Sequence, residues 1–191
     1  MPSTEFLNWP LLAPEVLTID AGVSGYDAIY TLQAAELAFR RERMVGAFVM
    51  LDFVNFAERI SRKLVFAHLA ALGVPSSIVD FISAMFGAMT FAIDVNNELT
   101  DFFPLQRGFP AGSPLSRIML AVAMDMLSRE LSVDKHAEIG VPVGMEFITH
   151  IVQGGVCVVV VHSPAAVLAL QEPLGRFCQM CGINADSIDV S

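Results

Sequence analysis

Positive charge is what this chain has least of. Its 11 Lys and Arg stand against 20 Asp and Glu, a formal net charge of −9. A protein that grips nucleic acid draws most of its affinity from Lys and Arg placed on phosphates, so this balance disfavours nucleic acid as a tight partner. Cysteine is sparse as well. Cys157, Cys178 and Cys181 are odd in number and have no framework spacing, which excludes a disulfide scaffold and fits a reducing interior, cytoplasmic or nuclear. Cys178 and Cys181 have the spacing of half a zinc or redox motif, yet no second pair or nearby histidine completes it. His68, His136, His150 and His162 are scattered without ligand spacing. Long apolar runs are missing too. Asp52, Asp80, Asp94 and Arg117 interrupt the richest segments, leaving no stretch of the roughly 18–20 apolar residues that a membrane-spanning helix needs. The first residues, Met1-Pro2-Ser3-Thr4-Glu5, lack the basic start and apolar core of a secretory leader, so neither secretion nor a membrane location is expected.

Apolar residues, by contrast, are in excess. They make up 54% of the chain and charged residues only 16%, against roughly 45–50% and about 25% in an average globular protein. Such an excess points to buried strands, or to a surface that another body covers. With 191 residues, no internal repeat and no low-complexity linker, one continuous domain is expected over 1–191.

Local patterns give the order of elements. Ile29, Leu32, Ala35 and Phe39, followed by Arg40, Arg41 and Arg43, read as an amphipathic helix from residue 24. Residues 46–53, GAFVMLDF, read as a buried strand with one carboxylate at its mouth. Helices follow over 61–72, stopped by Gly73 and Pro75, and over 76–88. The segment 90–103 alternates around Asn96-Asn97, a hairpin signal. Ser113-Pro114 and Ser163-Pro164 each place a capping serine before a proline at the first helical position. They start helices over 114–131 and 164–180, the second closed by Gly182. Between these helices, IVQGGVCVVVV (151–161) reads as a buried hairpin. This order predicts an α+β fold with helices on one face of a mostly antiparallel sheet. The cations at Arg40, Arg41 and Arg43, and at Arg59, Arg62 and Lys63, are expected on solvated helix faces rather than on a phosphate track.

Three segments together carry a family resemblance. VMLDFVNFAERI (49–60), FPLQRGFPAGSPLSRIMLAVAMDMLSREL (103–131) and GVSGYDAIYTLQ (22–33) resemble the first palm motif, the second palm motif and the preceding fingers segment of the reverse transcriptases of non-LTR retrotransposons and group II introns. The second motif is the most specific. The resemblance implies a right-hand palm, about 46–60 and 106–191, with fingers-like parts, about 1–45 and 61–105, and no thumb. It also implies RNA-directed DNA polymerisation with Mg²⁺ as the cofactor, Asp52 as a metal ligand, and Phe53, Ala111 and Gly112 at the nucleotide.

Against that pattern the chain is degenerate. The family's third palm motif, an aromatic-Ala-Asp-Asp hairpin tip, falls on Val152-Gln153-Gly154-Gly155, so Gly154 and Gly155 occupy the positions of the lost aspartates. The fingers arginines read Asp20 and Val23, the lysine and second aspartate of the first motif read Asn55 and Glu58, and the glutamine of the second motif reads Ala111. Near the C-terminus the family's Gly-Leu-x-x-Asn-x-x-Lys reads Gly182-Ile183-Asn184-Ala185-Asp186-Ser187 and lacks the lysine. Positions that build structure persist: Gly108, Gly112, Pro114, Leu115, Ser116, Asp27-Ala28-Ile29 and Leu51-Asp52-Phe53. Even the two glycines suit a tight primed turn, which needs positive φ at its centre.

The expectation is therefore a pseudo-enzyme that works by binding, with Asp52 a vestigial and solitary metal ligand, no cofactor, and an unidentified protein partner or self-association. Mg²⁺ would matter only with residual activity. Two alternatives stay open: a nucleic-acid-binding remnant, and a weak polymerase in which Glu58, Asp94 or Asp125 joins Asp52 in a rearranged site. An uncovered edge at 156–161 would favour self-association.

Overall fold

The structure is a computed structural model that describes residues 12–13, 16, 25–53, 55–133, 139–153, 155–183 and 188–190. It opens with α1 (Gly25–Glu42), β1 (Ala47–Phe53), a short α2 (Phe56–Arg59), α3 (Arg62–Ala71) and α4 (Ser76–Ala88). A small β arm follows, made of β2 (Thr90–Phe91), β3 (Asp94–Val95), β4 (Glu98–Leu99) and β5 (Phe103–Pro104). Then come α5 (Pro114–Val133), β6 (Val141–Val143), β7 (Glu146–Ile148), β8 (His150–Gln153), β9 (Val156–Val161), α6 (Pro164–Ala169), α7 (Gln171–Cys181) and β10 (Ile188–Val190).

The central sheet has the order β10-β1-β9-β8, and every pairing in it is antiparallel. With α5 leading from β1 to β8, and α6 and α7 from β9 to β10, this is the β-α-β-β-α-β arrangement, carrying a helical insertion after β1. The α+β expectation therefore holds. Because β9 pairs with β1 on one side and β8 on the other, Val156–Val161 has no free edge, and the self-association argued from that edge loses its basis. Strand order depends on partners far apart in sequence, which an apolar run cannot announce.

Alternation along β1 separates two faces. Val49, Leu51 and Phe53 are buried while Phe48, Met50 and Asp52 are exposed. The buried set joins the main core with Met124 and Leu127 of α5 and Phe177 of α7. On the other face α1 lays Ala35, Ala38 and Phe39 over Val160, with the Phe39 and Phe48 rings edge to face at 6.2 Å. That cover sits at the Phe48–Val160 end of the sheet, four registered pairs away from Asp52–Val156.

The expected single helix over 164–180 is two, broken at Leu170. Pro173 explains the break: inside a continuous helix it would lack a donor and crowd a carbonyl, whereas in the first turn of α7 its missing N–H costs nothing. Ser163 caps α6 as expected, its Oγ accepting from the Ala166 N–H at 3.0 Å, and Gly182 closes α7 at φ 64°. The arm turns at Asn96 (φ 55°) and Asn97 (φ 67°), both left-handed as a type I′ hairpin requires.

Candidate functional site

Asp52 lies near the end of β1, opposite Val156 of β9 and opposite Asp189 of β10. Its exposed side chain makes no hydrogen bond or ion pair among the described residues. Phe53 takes the other face. At 3% exposure it packs its ring 5.4 Å from Phe177 and 5.6 Å from Phe56, so the expected place at a nucleotide is corrected to a place in the core. Neighbouring residues of a strand point to opposite faces, and Phe53 cannot share the face of Asp52.

The hairpin between Gln153 and Val156 forms as expected. Gly155 closes it without entering the left-handed region. A Cβ added at Gly155 meets nothing within 4 Å. The fold therefore does not demand glycine there, contrary to the conformational reading of that position. Gly154 lies outside the described residues, as do Asp20, Val23 and Asn184.

The second motif forms a loop pinned from beneath. The Gly108 N–H donates to the Ile60 carbonyl at 2.9 Å and the Phe109 N–H to the Ala57 carbonyl at 2.7 Å. Gly108 has φ 71°, and a Cβ there would strike the Glu58 backbone, so glycine is needed on both counts. Arg62 completes the clamp. Its Nε donates to the Gly108 carbonyl at 2.5 Å, its Nη1 to the Phe86 carbonyl at 2.9 Å, and it lies over the Phe86 ring. This buried role corrects the expectation of a solvated cation. Ala111 and Gly112 are exposed at the tip of the loop. Ala111 borders a cavity of about 300 Å³ floored by Phe91, Leu105 and Phe109, with Glu58 and Arg107 also lining it. Where the family's glutamine would offer an amide, this wall offers a methyl group.

A pair of Mg²⁺ ions needs several hard oxygen ligands from more than one point of the chain. The described residues do not supply such a set. No group of three or more His, Cys, Asp or Glu converges among the described residues, and a glycine at 155 presents no side-chain oxygen. The acids proposed as recruits are engaged or placed elsewhere. Asp94 accepts the Asn97 N–H at 2.9 Å in the arm turn, and Glu58 lines the apolar cavity. Asp125 is fully buried on α5.

Sequence reasoning missed what Asp125 does. Its carboxylate accepts from the Ala13 N–H at 2.5 Å, meets His68 Nε2 at 2.7 Å and accepts from Arg129 Nε at 2.6 Å. Burial opposes its charge, but these partners win and hold the carboxyl below its usual range. The network ties the N-terminal segment to α3 and α5, and Val16 bridges to Val152 at the outer edge of β8. A second buried group lies nearby. His150 Nε2 sits 2.7 Å from Ser128 Oγ and Nδ1 lies 2.9 Å from Thr149 Oγ1, while desolvation lowers the imidazole to about 4. The signal for both was Asp125, Ser128 and Arg129 interrupting an otherwise apolar helix face. Burial also raises all three thiols, Cys181 up to about 12, so they are protonated and inert at neutral pH.

Four arginines are engaged by acids, while Arg43, Arg59, Lys63, Arg107 and Arg117 have no acid partner among the described residues. Arg40 pairs with Glu36 at 2.6 Å, Arg41 with Glu42 at 3.7 Å, Arg129 with Asp125, and Arg176 with Glu130 and Glu172 at 2.8 Å.

No protein-family model matches the chain. Among solved structures it is similar to telomerase, a reverse-transcriptase-related enzyme. Telomerase from Candida tropicalis in complex with the TWJ fragment of telomeric RNA superposes with a TM-score of 0.64 at 9% identity, over 92% of this chain and 30% of that one. Apo telomerase from Candida tropicalis, truncated from its C-terminal domain, gives 0.66 at 10% identity over 92% and 36%. Telomerase from Candida albicans in complex with the same fragment gives 0.65 at 11% identity over 93% and 31%. The chain spans about a third of the length of these proteins, and at such identity the likeness defines the fold alone: it is reverse-transcriptase-like. Among the described residues, no helix is long and apolar enough to cross a membrane.

Proposed function

We propose that the chain is a degenerate reverse-transcriptase domain of the non-LTR retrotransposon and group II intron kind, which no longer transfers nucleotides and acts by binding another protein. In this reading β1 with α2, and residues 106–191, form the palm, and the flanking helices with the β arm form fingers-like parts. The observation that carries it is that, on the β9 side of Asp52, Val156 and Gly155 offer no side-chain oxygen. Nucleotide addition is an in-line phosphoryl transfer that relies on two metal ions to stabilise the attacking and leaving oxygens. Asp52, opposite Asp189 of β10 and Val156 of β9, with glycine just before β9, lacks the hairpin-tip ligands that such a pair requires. The nucleotide wall has changed in the same direction, since Ala111 cannot hydrogen-bond. Binding of a nucleic-acid duplex is disfavoured by the net charge of −9. The partner is intracellular protein, and neither a cofactor nor a membrane enters the reading.

Primer extension tests it. The purified chain, offered an RNA or DNA template with annealed primer, nucleotides and Mg²⁺ or Mn²⁺, is expected to add nothing. Incorporation that disappears in Asp52→Ala would overturn the proposal.

A further inference from the structure

The β arm exposes apolar surface among carboxylates, with Arg107 the one cation among the described residues lining the cavity at its base. Every residue over 93–104 is exposed, including Ile93, Val95, Leu99 and Phe102, the last two at 66% and 70%. Between Lys63 and Arg107 the sequence contains no Lys or Arg, but it contains Asp80, Asp94, Glu98 and Asp101. Register sets apolar and acidic residues side by side, with Leu99 opposite Asp94 and Val95 opposite Glu98. Directly opposed residues of an antiparallel pair share a face, so each face of the tip carries one of each kind. At the base of the arm Phe91 pairs with Phe103 and also lines the 300 Å³ cavity beside Ala111. Both arm sheets are two-stranded, which leaves main-chain donors and acceptors along their outer edges for an added strand.

An apolar surface studded with carboxylates repels phosphate chains and equally repels a second copy of a chain with net charge −9. It complements a segment that is apolar and cationic in alternation. We propose that the arm and the cavity at its base form the docking site for a basic, extended segment of a partner protein, which adds along the arm edge and seats an apolar side chain in the cavity. This deepens the binding reading above and rests on it only for the statement that the domain works by binding.

The test uses the whole chain and a fluorescein-labelled peptide alternating lysine and valine, followed by fluorescence polarisation, with an all-lysine peptide of equal length and a single-stranded RNA as competitors. The alternating peptide is expected to bind more tightly than the all-lysine one, to weaken with salt without being abolished, and to resist the RNA. Leu99→Ser with Phe102→Ser, and separately Glu98→Lys with Asp101→Lys, should each weaken it by about tenfold or more. All four side chains are exposed, and circular dichroism checks that the fold is kept. Equal binding of the all-lysine peptide, preference for the RNA, no binding, or indifference to both double substitutions would overturn the proposal. Primer extension is read separately, so a catalytically active chain that binds the peptide defeats only the loss of catalysis, and an inactive chain that ignores it defeats only the docking site.

Discussion

On one face of β1, Val49, Leu51 and Phe53 are packed beneath α5 and α7, in a core that also holds two satisfied polar groups, Asp125 and His150. On the other face Met50 and Asp52 stand exposed beyond the reach of α1. The packed face keeps what its neighbours need in shape and hydrogen bonding. The exposed face carries Asp52, which makes no hydrogen bond or ion pair among the described residues. The same division runs through the second motif, where Gly108 is fixed by backbone contact and Ala111, three residues on, is exposed. Gly108 and Phe53 therefore answer to the fold, whereas Asp52 and Ala111 stand outside its packing.

The largest effect should come from the pinned loop. Gly108→Ala forces a side chain into left-handed backbone and against the Glu58 carbonyl, and it disturbs the site where Arg62 donates. A loss of more than about 3 kcal/mol is expected in urea denaturation, from strain and from the cost of an unpaired buried guanidinium together. A loss below about 1 kcal/mol would show that the loop yields easily, and the division between the two kinds of motif residue would collapse.

Next in size is a pH effect confined to the packed face. Burial lowers His150 from 6.5 to about 4, so below pH 6.5 the unfolded chain takes up a proton that the folded chain refuses. Stability is then complete above the unfolded value and declines as pH falls toward 4, by about 3 kcal/mol across that window. Asp125 acts at more acid pH. Its folded value is depressed, so its contribution is present above the unfolded carboxylate value near 4 and is lost as pH drops through the folded value. Urea midpoints at pH 7, 4.5 and 2.5, compared with those of His150→Gln, should separate the two, because the substitution removes the step above pH 4.5 and leaves the more acid one. A wild-type curve flat between pH 7 and 4.5 would mean that His150 is hydrated rather than sealed.

Much of this architecture was legible because its signals are local. The apolar spacing of α1, the capping Ser163, the Asn96-Asn97 turn and the Gly155-Val156 hairpin each announce themselves within a few residues. What was not legible depends on partners distant in sequence. Arg62 reads as one more cation of a helix face until Gly108, 46 residues on, accepts its bond, and Asp125 reads as a local pair until Ala13 arrives from 112 residues away. The hairpin β6–β7 and the edge strand β10 are too short for periodicity to declare them. At the site, the loss of the aspartates was readable from identity alone. The placement of Phe53 was readable too, since strict alternation after Asp52 put it on the other face.

Gly155→Asp gives the smallest effect and the sharpest test of the comparison. Its backbone is not left-handed and an added Cβ meets open space, so neither strain nor overlap is introduced. The new carboxylate adjoins Val156, the registered partner of Asp52, and the one cost is repulsion between like charges on neighbouring strands. That cost is expected to stay within about 1 kcal/mol and to shrink with added salt. Urea denaturation at low and high ionic strength reads both quantities. If the substitution proved as damaging as Gly108→Ala, and equally so in high salt, glycine at 155 would be a structural requirement. The loss of its acid would then belong with the packed face, as a consequence of folding rather than of chemistry no longer needed.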